Sequence, residues 1–443
     1  MKMSVRAQLM VMMFIQFFVW GTWYVAMGVY LPKIGFTNSQ IGLAYSSTGW
    51  AAIVTPFFMG MIADRFFPAQ MVLAVLNLVG AALLWMAAIT TTPTLFLVYL
   101  IAYTMCFMPT LSLTSAIAFN QMDSPQRQFP AIRVMGTVAW IAAGFVVSWI
   151  YVDGKTGGLR LVLGESGRTG LQTIVETAWT FKLGAVCALV MGLYALTLPN
   201  TPPKLAGKKV LVRDVLGLDA LALLKDRSFF VFLFSALLIC IPLSFYYGFA
   251  ARFLSEGGIQ SITAKMSFGQ MSEFCFMLVI PFFFARLGVK KMLLAGMGAW
   301  VVRYLLFAYG QNVTLQPPVT GDAMMGALAL VGMWYLGVLL HGVCYDFFFV
   351  TGQIYTDMRA PKELQASAQG LFALATWGIG MTIGTTASGR VADFFSKPGA
   401  TPDAAKVMDW FGIWMTPAAL AFIVFLIFLV FFSEKGLEKK TQE

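Results

Sequence analysis

Four ionisable side chains stand inside stretches of this 443-residue chain that are otherwise fit for hydrocarbon: Arg133, Glu273, Arg303 and Asp346. The plainest case is residues 267–284, SFGQMSEFCFMLVIPFFF, where Glu273 is the one charge. A charge at mid-membrane costs about 2.5–3.5 kcal/mol on insertion scales, so it normally faces a cavity or a partner. Two acids and two bases permit pairing that fixes helix packing, and Arg303, with almost wholly apolar neighbours, suits that role best. The sharper chemistry is proton carriage. Burial and a nearby cation act on a carboxyl in opposite senses, so an acid held between them can be switched by substrate or by water. Glu273 fits such a carrier. Gln270 lies one turn before it on the same helical face, and its amide is suited to hydrogen-bonding a polar ligand.

Other stripes follow the helical period. Arg133, Thr137 and Trp140 fall at i, i+4 and i+7 and share a face. Gln16, Trp20, Trp23 and Tyr24 surround Gly21-Thr22, and Ser244-Phe245-Tyr246-Tyr247 brings hydroxyls and rings together. His341 and Tyr345 are one turn apart, with Asp346 adjacent. Aromatic stripes in membrane helices commonly serve packing or the interfacial belts. Here rings mix with hydrogen-bonding groups at mid-helix depth, which predicts a ligand cavity for a planar base or a sugar ring. His341, the single histidine, is either a proton relay or a packing residue.

These residues need helices to position them, and the composition supplies helices. The chain is 59% hydrophobic and 11% charged, against about 25% charged for a soluble domain. Apolar runs of about 20 residues recur throughout, enough to cross about 30 Å of hydrocarbon as helix. The expected architecture is an all-α polytopic membrane protein with 12 transmembrane helices. The spans are near 8–31, 41–63, 71–90, 95–120, 131–152, 178–198, 228–254, 262–285, 291–310, 324–350, 367–390 and 409–432. The first run is expected to be retained, being too long for a signal-peptide core. All five cysteines lie in apolar runs without metal-ligand spacing and are expected to pack.

A basic stretch at 200–227 splits the chain into an N-terminal six-helix bundle (1–199), a cytoplasmic linker, and a C-terminal six-helix bundle with a short tail (228–443). Lys and Arg concentrate on the side of the linker and both termini. That side, with both termini, is therefore expected to be cytoplasmic. The net charge of +10 follows from this topology and predicts no nucleic-acid partner. A weak repeat agrees with the division: Thr55-Pro56-Phe57-Phe58 and Ile280-Pro281-Phe282-Phe283 each end the second helix of a half. Two parallel six-helix halves suggest a transporter with a mid-membrane site between them. An enzyme is not expected. HExxH, GxSxG and GxxxxGK[ST] are missing from the sequence, and so is a long extramembrane catalytic region.

The loop Gly60-Met61-Ile62-Ala63-Asp64-Arg65 resembles the signature between helices 2 and 3 of the major facilitator superfamily, although Phe66-Phe67-Pro68-Ala69-Gln70 replaces its basic tail. Further stretches resemble the bacterial nucleoside:proton symporters of that superfamily. They include residues 16–23 (QFFVWGTW), 129–137 (FPAIRVMGT), 270–273 (QMSE), 300–303 (WVVR), 345–348 (YDFF) and 366–370 (ASAQG), in order along the chain. The resemblance implies proton-driven nucleoside uptake by alternating access, with no cofactor beyond the proton gradient. By motif, Arg133, Thr137, Trp140, Gln270, Glu273 and Tyr345 would contact the ligand. Glu273 and Asp346 would couple protons.

There are departures. Ser244 and Tyr247 stand where amides are usual, and His341 where a tyrosine is usual; all three are carried as ligand contacts. A sugar or glycoside substrate stays open on that ground. Asp64 and Arg65 are expected to gate the cytoplasmic side, and the protein is expected to work in the bilayer as a monomer.

Overall fold

The computed structural model describes residues 3–123, 125–163, 168, 170–203, 218–312, 322–398 and 407–434, with no side-chain description for 56–65, 125–127, 218–219, 312, 322–330, 363 and 366. The expected gate pair Asp64 and Arg65 falls among those side chains. Linker residues Lys204, Lys208, Lys209 and Arg213, and the tail after Glu434, lie outside the described residues.

Among the described residues, twelve long helices run in chain order. The first six are α1 (Met3–Lys33), α2 (Asn38–Arg65), α3 (Ala69–Ile89), α4 (Pro93–Asn120), α5 (Pro125–Trp149) and α6 (Trp179–Ala195). α7 is Arg227–Glu256, and a continuous stretch Ile262–Tyr309 divides at Gly288 into α8 (262–287) and α9 (289–309). α10 (322–359), α11 (365–394) and α12 (Trp410–Phe431) complete the set. The break at Gly288 has a plain cause: φ is 70° there, in the left-handed region where a Cβ is disfavoured. Side chains mark other ends. Asp226 Oδ1 accepts from the Phe229 N–H at 2.9 Å to start α7, and Asp409 Oδ1 accepts from Gly412 N–H at 3.2 Å to start α12.

Large apolar side chains are exposed along outer faces, such as Val75 and Val79 of α3, Leu193 of α6, Leu278 of α8 and Val430 of α12. Such contiguous apolar surface belongs against lipid tails.

The chain forms two compact units: Met1–Val210 with Ser261–Ser267, and Leu211–Gln260 with Phe268–Glu443. In the first, α1 is the central helix, packing on α5 and α6, while α3 packs on α4 and α6. Its interior carries a polar chain: Gln16 Nε2 donates to Thr110 Oγ1 at 2.6 Å, and Asn77 Nδ2 donates to Gln16 Oε1 at 3.3 Å. The first turn of α8 also belongs here. Thr263 Oγ1 donates to the Gly144 carbonyl at 2.8 Å, and Ala264 N–H donates to Ser148 Oγ at 2.9 Å.

The span expected to reach residue 152 ends at Trp149. Ile150–Asp153 (β1), Leu159–Leu161 (β2) and Leu171–Thr173 (β3) instead form a small antiparallel sheet ordered β2-β1-β3. Asp153 closes its turn, with Oδ1 accepting from Lys155 N–H at 2.9 Å and Oδ2 2.6 Å from Arg160 Nη2.

In the second unit α7 packs on α11 and α12. A buried aromatic cluster of Phe253, Phe307, Trp334, Trp410 and Trp414 fills one end of it. At the far end of α12, Lys290 Nζ donates to the carbonyls of Leu429 and Phe432 at 2.9 and 2.7 Å. α10 and α11 each contain a stretch of π-helix, at Asp346–Val350 and Leu374–Gly380. Such stretches are rare and concentrate at functional sites.

Candidate functional site

In the second unit the ionisable residues singled out above converge from three helices. Arg303 of α9 is fully buried. Its Nε donates to the Gly337 carbonyl at 2.8 Å, its Nη2 lies 3.2 Å from His341 Nδ1, and its guanidinium sits 3.6 Å from the Tyr246 ring centroid. His341 of α10 is stacked on Tyr246 (centroids 5.4 Å apart, 21° between planes) and presents Nε2 to Glu273 Oε2 of α8 at 3.7 Å. Gly342 makes this approach possible. A Cβ there would lie 2.7 Å from the Ser272 carbonyl carbon and 2.8 Å from the Glu273 nitrogen, so any other residue would push α10 off α8. Ser272 Oγ adds a 2.6 Å hydrogen bond to the Leu339 carbonyl across the same helix pair. Arg303 is thus a structural cation, as its apolar neighbours predict, but its partner is the histidine and a backbone carbonyl.

Asp346 opens the π-helical turn of α10 and is fully buried. Among the described residues neither carboxyl oxygen has a hydrogen-bond partner. An unpaired buried carboxylate is costly. Among the described residues no protein group completes it.

Beyond Asp346 lies a cavity of about 370 Å³ walled by α10 and α11, within the range of small-molecule sites. Tyr345, Phe349 and Trp377 supply its rings, and Gln353, Gln369 and Thr376 its polar groups. Tyr345 and Phe349 are 4.9 Å apart, and Trp377 is stacked at 6.4 Å from Phe349. Both π-helical stretches contribute lining residues. Gln369 Nε2 donates to the Gln353 carbonyl at 2.7 Å and to Asp357 Oδ1 at 2.8 Å, tying the helices together at one end.

In the first unit, Arg133, Thr137 and Trp140 of α5 are each at least partly exposed. The Arg133 guanidinium lies 4.4 Å over the Phe17 ring of α1, and Trp140 meets Trp20 edge-on at 5.3 Å.

Several sequence expectations change. Ser244 is fully buried, with its hydroxyl donating to the Cys240 carbonyl at 2.8 Å and packed against Gly384. In this structure it faces α11 from α7. His341 is 2% exposed and is enclosed by Arg303, Tyr246 and Glu273. The α1 stripe divides: Gln16 and Trp23 are fully buried against α3, α4 and α6, and Trp20 with Tyr24 turns to Trp140. Tyr247 remains partly exposed, near Trp377 at 6.4 Å, and Gln270 and Tyr345 are partly exposed as well. Sequence reasoning missed Phe349, Trp377, Gln353 and Gln369, although Gln369 lies in a stretch already singled out for its resemblance. Trp377 is the sole ring among the small residues of 373–380, which was its available signal.

Twelve long helices among the described residues, with a buried acid and an aromatic cavity in the second unit, define a multi-pass membrane transporter of the major facilitator fold. The nucleoside H+ symporter family matches residues 3–436, and the chain belongs to that family of proton-coupled nucleoside transporters. It is 40% identical over 437 residues to YegT of Escherichia coli (strain K12), covering 98% of this chain and 96% of YegT. The xanthosine permease of the same organism is 32% identical over 441 residues, covering 96% of this chain and 95% of the permease. The crystal structure of the nucleoside transporter NupG superposes with a TM-score of 0.80 at 29% identity, over 98% of this chain and 100% of that one.

Proposed function

We propose that the protein imports nucleosides across the bacterial inner membrane with both termini cytoplasmic, and that Glu273 and Asp346 carry the coupling protons. The observation that carries this reading is Asp346, a fully buried carboxyl with both oxygens unpartnered among the described residues. An acid so placed is useful if a proton comes and goes. The proton binds a carboxyl oxygen when the site is open to the acidic side and leaves to the alkaline side after substrate has moved.

The rings of Tyr345, Phe349 and Trp377 offer flat faces to a planar base, and such stacking tolerates different bases. Gln353 and Gln369 lie on the same cavity, where their amide groups suit base edges or ribose hydroxyls. Gln270 and Glu273 are assigned to the ligand from α8, and Arg133, Thr137 and Trp140 from α5, on their motifs. Tyr247 keeps its assignment by its partial exposure. A xanthosine permease among the relatives makes purine nucleosides the first substrates to try. We take the transport unit to be a monomer in the bilayer, and keep Asp64 and Arg65 as the cytoplasmic gate.

The test is uptake of labelled adenosine, xanthosine and uridine into proteoliposomes with and without an inward proton gradient. Wild type should accumulate at least one of them only with the gradient, and Glu273→Gln should lose that accumulation. Equal accumulation by both proteins would remove Glu273 from coupling.

A further inference from the structure

We infer that Arg303 fixes the tautomer of His341, so that the ring is a neutral hydrogen-bond donor aimed at Glu273 and not a station on the proton path. The inference rests on Glu273 being a coupling carboxyl, and it concerns how that carboxyl is held. A guanidinium has five N–H donors and no acceptor. Its contact with His341 Nδ1 at 3.2 Å therefore has one possible polarity: Arg303 donates and Nδ1 accepts through its lone pair. A protonated Nδ1 would set N–H against N–H. The ring's own proton must then sit on Nε2, the nitrogen that faces Glu273 Oε2 at 3.7 Å. A small rotation of the Glu273 side chain, or one bridging water, closes that gap.

Arg303 and the His341 ring are both firmly held. Arg303 is anchored by its second hydrogen bond to Gly337 and by the face of Tyr246, and the His341 ring is clamped between Tyr246 and Tyr345. Among the described residues, the titratable and charged groups that meet the ring are Tyr246 from α7, Glu273 from α8, Arg303 from α9 and Tyr345 from α10. Of these Arg303 alone contacts Nδ1. Second-layer groups that set a histidine's tautomer in this way control the group its other nitrogen meets. Arg303 and His341 are thus positioning residues for Glu273, and the coupling proton passes His341 by.

The chain has one histidine, so 15N-histidine labelling of the full-length protein in lipid nanodiscs gives one pair of ring-nitrogen signals. The expected spectrum at neutral pH is a neutral ring protonated on Nε2. Arg303→Met should lose that single form, populating the Nδ1–H tautomer or the imidazolium. A wild-type ring protonated on Nδ1, or doubly protonated, would overturn the inference, and this reading needs no variant to fold.

Transport gives the second arm, on protein shown monodisperse. His341→Phe should lower gradient-driven accumulation about tenfold, the size of one lost charge-assisted hydrogen bond, and lower nucleoside exchange far less, with His341→Gln recovering part of the loss. Accumulation by His341→Phe equal to wild type would also overturn it. Should Glu273→Gln accumulate normally, the coupling role assigned to Glu273 fails, while the tautomer is still decided by the spectrum.

Discussion

Side chains next to each other in sequence do different work here. Tyr246 is buried under Arg303 and His341, and its neighbour Tyr247 is partly exposed near Trp377. One residue step turns a helical side chain by about 100°, so the block of hydroxyls and rings at 244–247 could not act as one wall. Glu273 and Asp346 were legible because a charge among apolar residues has few reasons to be there. The partner of Ser244 was not legible, because a buried serine can satisfy itself on its own helix, as it does on Cys240. The cavity rings yield a direct expectation. Tyr345→Ala and Trp377→Ala should each raise the KM for nucleoside uptake about tenfold, since one base–aromatic stack is worth about 1–3 kcal/mol. Initial rates against nucleoside concentration would measure it, and an unchanged KM in both would move the base elsewhere.

Helices were readable from hydrophobic runs, and their boundaries mostly followed; their irregularities did not. The π-helical stretches of α10 and α11 place Asp346 and wall the cavity, yet a change of hydrogen-bond pitch over one turn leaves no period in the sequence. The sheet after α5 was hidden for another reason: Ile150-Tyr151-Val152 is apolar enough to read as helix end, and its β-branched residues pair with 159–161 and 171–173.

Two predictions belong to this scale. Gly342→Ala sets a methyl against the α8 backbone at Ser272 and Glu273. It should cost about 1–3 kcal/mol of stability as overpacking, read as a lowered unfolding temperature in detergent, together with reduced gradient-driven accumulation. In the sheet, the Asp153 carboxyl is held below the usual carboxylate range, foremost by the Lys155 backbone N–H, then by Thr156 N–H and the Arg160 guanidinium. Its folded form binds the proton less readily than its unfolded form, whose pKa is about 3.9. The stabilisation is therefore complete above that pH and fades as pH falls through the lower folded value. Asp153→Asn should flatten the acid limb of a stability–pH profile and leave Arg160 without its partner at every pH. An acid limb identical to wild type would contradict this.

The whole molecule couples the two scales. Membership in the nucleoside H+ symporter family, with one buried and one half-buried acid in one unit, fits one purpose, moving a nucleoside against its gradient at the expense of protons. The fold class was legible from hydropathy and the family from short stretches in order, because both are carried by residue type. The partners of each polar group were not, because a buried arginine can meet an acid, a carbonyl or an imidazole equally well from sequence. The most direct test of the central claim records lumenal pH in proteoliposomes holding wild type, Asp346→Asn or Glu273→Gln while a transported nucleoside is added outside, with no gradient imposed. The account predicts nucleoside-triggered acidification of the lumen by wild type and none by either variant. Nucleoside entry by wild type without acidification would contradict it.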